Sequence, residues 1–142
     1  MIEIALDFDG VLHSDIQGSA GNYIPDPPVP GAMEKLKEFI ECPQISRIHI
    51  FSLRCYENVK DISEWVVREF QSAGGNIDTL AEKVTFTVTK PQVTVLIDDR
   101  ALCFMGDWAD PRFSIENILN FSPWNRHDVV PVVAVQSEEE VV

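Results

Sequence analysis

Short apolar runs alternate with helical segments along this chain, and the alternation limits the folds it can adopt. Residues 2–8 and 45–53 form two apolar runs, and residues 93–97 form a later one. Apolar residues recur at helical spacing over residues 32–42 and 59–70, between and after the first two runs. Continuous apolar runs indicate strands buried on both faces, and parallel strands need crossover connections. We therefore predict an α/β fold with a mostly parallel central sheet and helices on both faces.

Length and charge limit the number of domains and the kinds of partner that the chain can have. The chain has 142 residues, 45% of them hydrophobic, and we predict a single domain over residues 1–142. The stretch of about residues 11–31 is rich in Gly, Pro, Ser and Asp and is predicted to form a flap loop. The acidic end, residues 136–142, is predicted to be frayed. A formal net charge of −12 repels phosphate backbones and anionic membranes, which argues against long nucleic acid or a membrane as partners.

The cellular location is predicted from what the chain lacks. Its N-terminus has acids and no basic residue, so we expect no secretory signal. The apolar runs are shorter than the roughly 20 residues that cross a bilayer. Cys42, Cys55 and Cys103 are scattered and have no metal-binding spacing, which suits reduced thiols. We therefore expect a cytoplasmic protein.

Polar side chains end three of the apolar runs. Asp7 and Asp9 end the first, Ser52 ends the second, and Asp98 and Asp99 end the run at residues 93–97, which is the fourth predicted strand after an alternating one at residues 83–89. Parallel strands present their carboxyl ends at one edge of a sheet, so these side chains are expected to converge. Carboxylates brought together in this way repel one another by several kcal/mol unless a cation or a proton neutralises them. An all-oxygen ligand set favours a hard cation, and Mg²⁺ is the usual choice.

Basic residues near the same edge complete a set suited to phosphate. Lys90 precedes the last run, and Ser52 adds a hydroxyl donor. Only seven residues separate Lys90 from Asp98, so Lys83 is an alternative source of the positive charge. Arg54 could contact a substrate or pair with neighbouring acids. The combination of acids, a metal, a lysine and a serine indicates phosphate chemistry.

Together these residues resemble the four motifs of the haloacid dehalogenase-like (HAD) superfamily, whose members are chiefly Mg²⁺-dependent phosphatases. The matching motifs are DFDGV at residues 7–11, Ser52 at a strand end, Lys90 in TKP, and IDDR at residues 97–100. The match spans residue 4 to about residue 106, and the IDDRALCFMG segment is similar to that of uncharacterised phage and bacterial members. The resemblance implies a Rossmann-like three-layer α/β/α sandwich. The intervals between the motifs are too short for a cap, so the chain resembles capless members.

The resemblance implies catalytic and metal-binding roles for the acids. Asp7 would be the nucleophile that forms an aspartyl-phosphate, and Asp9 would be the general acid and base, with a pKa above that of Asp7. Mg²⁺ would be held by the carboxylates of Asp7 and Asp98 and by the main-chain carbonyl of Asp9. Asp99 would be a second metal-site acid. Gly10 would allow the sharp turn that exposes Asp9.

The resemblance also implies how a substrate is held. Ser52 and Lys90 would bind the oxygens of the transferring phosphoryl group, and Arg54 is a further candidate for substrate contact. Without a cap, the site would accept either a small phosphoester beneath the flap or an exposed phosphate on a macromolecule. The oligomeric state and the identity of the substrate stay open.

Two other functions are alternatives to a phosphatase. A signalling receiver domain also combines acids, Mg²⁺, a hydroxyl residue and a lysine, but it carries its acidic pair at the first strand and its phosphorylated Asp in mid-chain. A catalytically inactive protein that keeps the fold for interaction or regulation is the other alternative. The histidines His13, His49 and His127 have no ligand spacing, and packing or surface roles are predicted for all three.

Overall fold

The computed structural model describes residues 1–17 and 23–125. The chain divides into two compact units. The single domain over residues 1–142 stays a prediction. The first unit is Met1–Asp98, and the second begins at Asp99. The predicted site residues of the first strand, the second strand and the lysine segment all belong to the first unit, as does Asp98.

The first unit alternates strands and helices largely in the predicted order. Its strands are β1 (Ile2–Asp7), β2 (Ile45–Phe51), β3 (Val84–Thr87) and β4 (Val95–Ile97). Its helices are α1 (Ala32–Glu41), α2 (Val59–Ser72) and α3 (Ile77–Lys83). The sequence did not predict α3, a short helix that begins after Asn76, whose side chain accepts a hydrogen bond of 2.8 Å from the Asp78 N–H.

The four strands form one sheet in the order β3-β2-β1-β4, and every neighbouring pair is parallel. This parallel α/β arrangement was predicted and is consistent with a Rossmann-like fold. The chain moves from β1 through β2 to β3 on one side and then returns to place β4 on the other side of β1. The strand order therefore reverses between β1 and β4, and ligands of such sheets bind beyond the carboxyl ends of the strands at this point.

The helices of the first unit pack on one face of the sheet. Ile4 and Leu6 of β1 pair with Ile48 and Ile50 of β2 and belong with them to a single core, and Ala5 between Ile4 and Leu6 is buried as well. The three helices also contact one another, which helices on opposite faces could not do. The predicted helices on both faces are therefore not seen within this unit. The physical reason is the connection between β3 and β4, residues 88–94, which is shorter than the dozen residues that a crossover helix needs.

The predicted flap is fastened at its base. The N–H and the hydroxyl of Ser14 both donate to the carbonyl of Pro27, at 3.0 and 2.7 Å. The carboxylate of Asp26 accepts hydrogen bonds from the N–H and the side-chain amide of Gln17, at 3.0 and 2.6 Å. The two sides of the flap therefore lie next to each other, and residues 18–22 between them are outside the described residues.

The second unit contains one α-helix among its described residues, α4 (Ile115–Leu119). The Ser114 hydroxyl caps this helix by accepting a hydrogen bond of 3.1 Å from the Asn117 N–H. Three aromatic rings of the unit pack together, namely Phe104, Trp108 and Phe113. The predicted frayed tail, residues 136–142, lies outside the described residues. Among the residues that the structure does describe, no helix has the length and apolar character needed to cross a membrane.

Candidate functional site

Strand pairing brings three of the predicted site residues to one edge of the sheet. Asp7 is the last residue of β1 and pairs with Phe51 of β2, so Ser52 follows directly beside it. On the other side, Leu6 pairs with Ile97 of β4, so Asp98 follows opposite Asp7. Asp7 and Asp98 thus flank the point where the strand order reverses, which is the expected position of a ligand in this type of sheet.

The carboxylates of Asp7 and Asp98 could hold a metal ion together. Each offers an oxygen within 4.8 Å of the other. Two unit charges at this distance repel by about 3 kcal/mol at an effective dielectric constant near 20, and a divalent cation would remove that cost. A set of carboxylate oxygens suits a hard cation such as Mg²⁺. The donor set therefore fits the metal that the sequence predicted.

Asp99 follows Asp98 in the chain and is the first residue of the second unit. Within that unit its Oδ2 lies 3.9 Å from Nε of Arg100. The role of Asp99 as a second metal-site acid stays a prediction.

The carboxylate of Asp9 is held from two sides. Oδ1 lies 2.9 Å from Nδ1 of His13, and Oδ2 accepts a hydrogen bond of 2.7 Å from Nε of Arg54. Gly10 makes the sharp turn that follows, with a φ of 84° that favours glycine. Burial raises the pKa of Asp9, but hydrogen bonds from His13 and Arg54 and the charge of Arg54 outweigh it, so this pKa lies below its ordinary value. Asp9 is therefore an ionised carboxylate at neutral pH in this structure.

That ionised state suits only one of the two roles predicted for Asp9. A carboxylate can accept a proton from water as a general base, whereas a general acid must carry a proton at the start. The predicted order of the pKa values of Asp9 and Asp7 stays a prediction.

A second group of potential ligands surrounds the same carboxylate. Asp9, His13 and Asp15 each offer an atom within 4.8 Å of the others, so the spacing would allow a metal ion. However, Nε2 of His13 accepts a hydrogen bond of 3.1 Å from the Asp26 N–H, which leaves the ring proton on Nδ1, the atom that faces Asp9. A metal bound to Nδ1 would displace that proton and leave neither ring nitrogen protonated, which is unfavourable for an imidazole. The pair of Asp7 and Asp98 is therefore the better metal site.

Ser52 begins a short 3₁₀ helix, Leu53–Tyr56, directly after β2. Its N–H donates to the Thr87 carbonyl at 3.0 Å, and its Oγ accepts from the Arg54 N–H at 3.2 Å. Because Oγ is the acceptor in that bond, the hydroxyl proton can still be donated to a phosphoryl oxygen. Ser52 is 7% exposed, so the residue is fixed in place at the strand end.

The two candidate lysines lie at opposite ends of β3. Lys83 comes immediately before this strand, and its Nζ donates a hydrogen bond of 2.9 Å to the Cys42 carbonyl. Lys90 is exposed and comes three residues after the strand ends at Thr87, which pairs with Phe51. Lys90 is therefore on the side of the sheet edge that carries Ser52, and Lys83 is not.

Arg54 pairs with an acid, which is one of the two outcomes considered from the sequence. Besides its bond to Asp9, its Nη1 donates to the carbonyl of Tyr23 at 3.2 Å. Its side chain is only 10% exposed. The role of Arg54 in substrate binding stays a prediction.

The contact between His13 and the site was not predicted from the sequence. His13 is completely buried, which agrees with the predicted packing role, yet it also bonds to Asp9 and to the backbone of Asp26. A signal was present, because a histidine four residues after Asp9, across the turn at Gly10, can fold back onto it. The hydrogen bond from the Asp26 N–H joins the two sides of the flap, so no local sequence pattern predicts it.

Comparisons with known proteins add no relative to this description. No protein-family model, no curated protein and no solved structure matches the chain.

Proposed function

We propose that this chain is a Mg²⁺-dependent phosphomonoester hydrolase of the HAD type, acting through an aspartyl-phosphate on Asp7. One observation carries the proposal. The ends of adjacent parallel strands bring the carboxylates of Asp7 and Asp98 within 4.8 Å at the point where the strand order reverses, with Ser52 at the next strand end. A nucleophile, a cation site and a hydroxyl donor in this arrangement are the parts that phosphoryl transfer requires.

In the first step, a carboxylate oxygen of Asp7 attacks phosphorus in line with the ester bond. The bond between phosphorus and the leaving oxygen breaks, and the alcohol leaves with a proton supplied by protonated Asp9. The product on the protein is an aspartyl-phosphate on Asp7. Splitting one difficult hydrolysis into two displacements lowers the barrier of each.

In the second step, water attacks the phosphorus of the aspartyl-phosphate. Asp9 takes a proton from this water, the bond between phosphorus and the Asp7 oxygen breaks, and inorganic phosphate leaves. The ionised state of Asp9, which His13 and Arg54 favour, suits this half of the cycle. The first half requires Asp9 to gain a proton unless the leaving group is stable as an anion.

The remaining site residues would bind the metal ion and the phosphoryl group. Mg²⁺ would be held by the carboxylates of Asp7 and Asp98 and the main-chain carbonyl of Asp9, with Asp99 as a further acid. Such an ion neutralises the acidic edge so that an anionic phosphate can approach. Ser52 and Lys90 would donate to the phosphoryl oxygens as negative charge develops on them.

We further propose that the site has no cap. The interval from Asp9 to Ser52 holds the flap, α1 and β2, and the interval from Ser52 to Lys90 holds the 3₁₀ helix, α2, α3 and β3. The substrate is then a phosphomonoester that is either small and covered by the flap or exposed on a larger molecule. A net charge of −12 argues against long nucleic acid as the carrier of that phosphate.

The strand order weighs against a receiver domain. Receivers use the order 2-1-3-4-5, in which the first strand lies between the second and the third. Here β2 lies between β1 and β3. The order of the described sheet is therefore not that of a receiver domain.

The test is hydrolysis of p-nitrophenyl phosphate with Mg²⁺. We expect turnover that EDTA abolishes and Mg²⁺ restores, and Asp7→Asn should remove it. Asp78→Asn, at an exposed acid in the first turn of α3, is the matched control and should retain the wild-type rate. No turnover by the wild type, or unchanged turnover by Asp7→Asn, would rule out the proposed reaction.

A second variant separates the two steps. Asp9→Asn should still release p-nitrophenol once, because this leaving group needs no proton, and then turn over slowly because the base is missing. Rapid-mixing kinetics should show a burst of about one product per site. Wild-type steady-state rates in Asp9→Asn would remove Asp9 from the acid and base role.

A further inference from the structure

The geometry points to His13 as a positioning residue that fixes the Asp9 carboxylate and connects it to the base of the flap. Its effect on catalysis rests on the proposed hydrolase function, whereas its hydrogen bonds can be tested without any activity. The hydrogen bonds of His13 go to the Asp9 carboxylate and to the Asp26 N–H. It acts through Asp9 alone.

The hydrogen bonds define which ring nitrogen carries the proton. The Asp26 N–H can only donate, and it points at Nε2 of His13 from 3.1 Å. Nε2 must therefore be the unprotonated acceptor, so the neutral ring has its proton on Nδ1. That proton is then donated to Oδ1 of Asp9, 2.9 Å away. The Asp26 carboxylate is farther from Nε2, at 3.9 Å, and does not replace the backbone bond.

Packing prevents the imidazole from turning. His13 is 0% exposed, and its ring stacks on Phe8 with a centroid distance of 5.6 Å and an interplanar angle of 19°. The Trp65 ring packs edge-on against the imidazole, with a centroid distance of 5.6 Å. Phe8 lies between Asp7 and Asp9 in the chain, so the same core packing sets the positions of the ring and of both acids. A ring held in this way gives the Nδ1 proton a fixed direction.

Asp9 is thereby fixed by two different parts of the chain. His13 bonds to Oδ1, and Arg54, from the 3₁₀ helix after β2, bonds to Oδ2 at 2.7 Å. A carboxylate bonded at both oxygens has one orientation, and proton transfer to or from a reacting group depends on that orientation. Removing the His13 donor would free one oxygen and let the side chain rotate.

The first experiment determines the tautomer of the wild-type protein. Two-bond ¹H–¹⁵N correlation spectra of the ¹⁵N-histidine-labelled chain show the three histidines, and the spectrum of His13→Asn identifies His13 by its absence. From the two hydrogen bonds we expect a proton on Nδ1 and an unprotonated Nε2. A proton on Nε2, or on both nitrogens, would overturn the inference.

The second experiment asks which nitrogen matters for rate. His13→Asn places an amide donor near the position of Nδ1, whereas His13→Gln places its amide near Nε2 and leaves Asp9 without that donor. For p-nitrophenyl phosphate we expect His13→Gln to lower kcat by about 10- to 100-fold with KM unchanged, and His13→Asn to keep kcat within about threefold of the wild type. Equal losses in the two variants, or a change confined to KM, would overturn the positioning role.

His49 supplies the matched control. It also makes two side-chain hydrogen bonds, to Glu3 at 2.8 Å and to Thr85 at 2.9 Å, but in the middle of the sheet and away from the strand ends. His49→Gln should leave kcat unchanged. If the wild type hydrolyses no phosphoester, the proposed function fails, and the tautomer spectrum alone then decides the inference about His13.

Discussion

The two lysines around β3 allow a direct comparison of a binding role with a structural one. Lys83 lies before β3 and Thr87 is its last residue, so about 13 Å of extended chain separates Lys83 from the site edge. Its ammonium group is already bonded to the Cys42 carbonyl. Lys90, beyond the strand end, is exposed and lies on the side of Ser52. We therefore predict opposite effects of Lys90→Ala and Lys83→Ala.

Lys90→Ala should lower kcat/KM for p-nitrophenyl phosphate by about 10²- to 10³-fold, the usual cost of removing one donor to a developing oxyanion. Its melting temperature should not change, because Lys90 is exposed. Lys83→Ala should keep the wild-type rate and lose about 1 kcal/mol of unfolding free energy with its hydrogen bond to Cys42. For a unit of this size, that loss lowers the melting temperature by roughly 4 °C.

Steady-state kinetics and thermal unfolding monitored by circular dichroism measure both quantities on the same preparations. Loss of activity in Lys83→Ala together with full activity in Lys90→Ala would refute the placement of the lysines. A charge-preserving Lys90→Arg variant should retain more activity than Lys90→Ala, because it keeps the positive charge near the phosphate.

Two further predictions concern stability. Burial raises the pKa of Asp26, but hydrogen bonds from Gln17 outweigh it and lower this pKa, so Asp26 stabilises the fold above about pH 4 and loses that contribution as pH falls through the folded pKa. Asp26→Asn should therefore reduce the urea midpoint at pH 7 and flatten its decline in acid; an unchanged profile would contradict this. A Cβ on Gly75 would overlap the buried ring of Phe70, so Gly75→Ala should cost about 2 kcal/mol or more in urea unfolding. Gly74→Ala, where a Cβ meets open space and only the positive φ is unfavourable, should cost about 1 kcal/mol, and equal losses would refute the overlap.

The sequence predicted the elements that carry a strong local pattern. The spacing of Met33, Leu36 and Ile40 indicated α1, and these are its buried residues. The apolar runs at residues 2–8 and 45–53 indicated β1 and β2, and their parallel pairing was inferred from the helix between them. These predictions succeed because a buried helix face and a buried strand each produce a recognisable pattern of apolar residues within a short stretch of sequence.

The features that the sequence did not predict depend on contacts between distant residues. The choice between Lys83 and Lys90 needed the register of β3, which places Thr87 beside Phe51. Predicting the contact of His13 with Asp26 required knowing that the two sides of the flap lie next to each other. The packing of all helices of the first unit on one face follows from the short connection of residues 88–94, whose length depends on where β3 ends and β4 begins.

The central claim is that Asp7 becomes covalently phosphorylated, and chemical trapping tests it most directly. Asp9→Asn, in which hydrolysis of the intermediate should be slow, is mixed with p-nitrophenyl phosphate and Mg²⁺ and then reduced with borohydride, which converts an aspartyl-phosphate into homoserine. Peptide mass spectrometry should find homoserine at residue 7 only, and only when the substrate was present. Homoserine at Asp98 instead, or at no acid in an active preparation, would contradict the proposed mechanism.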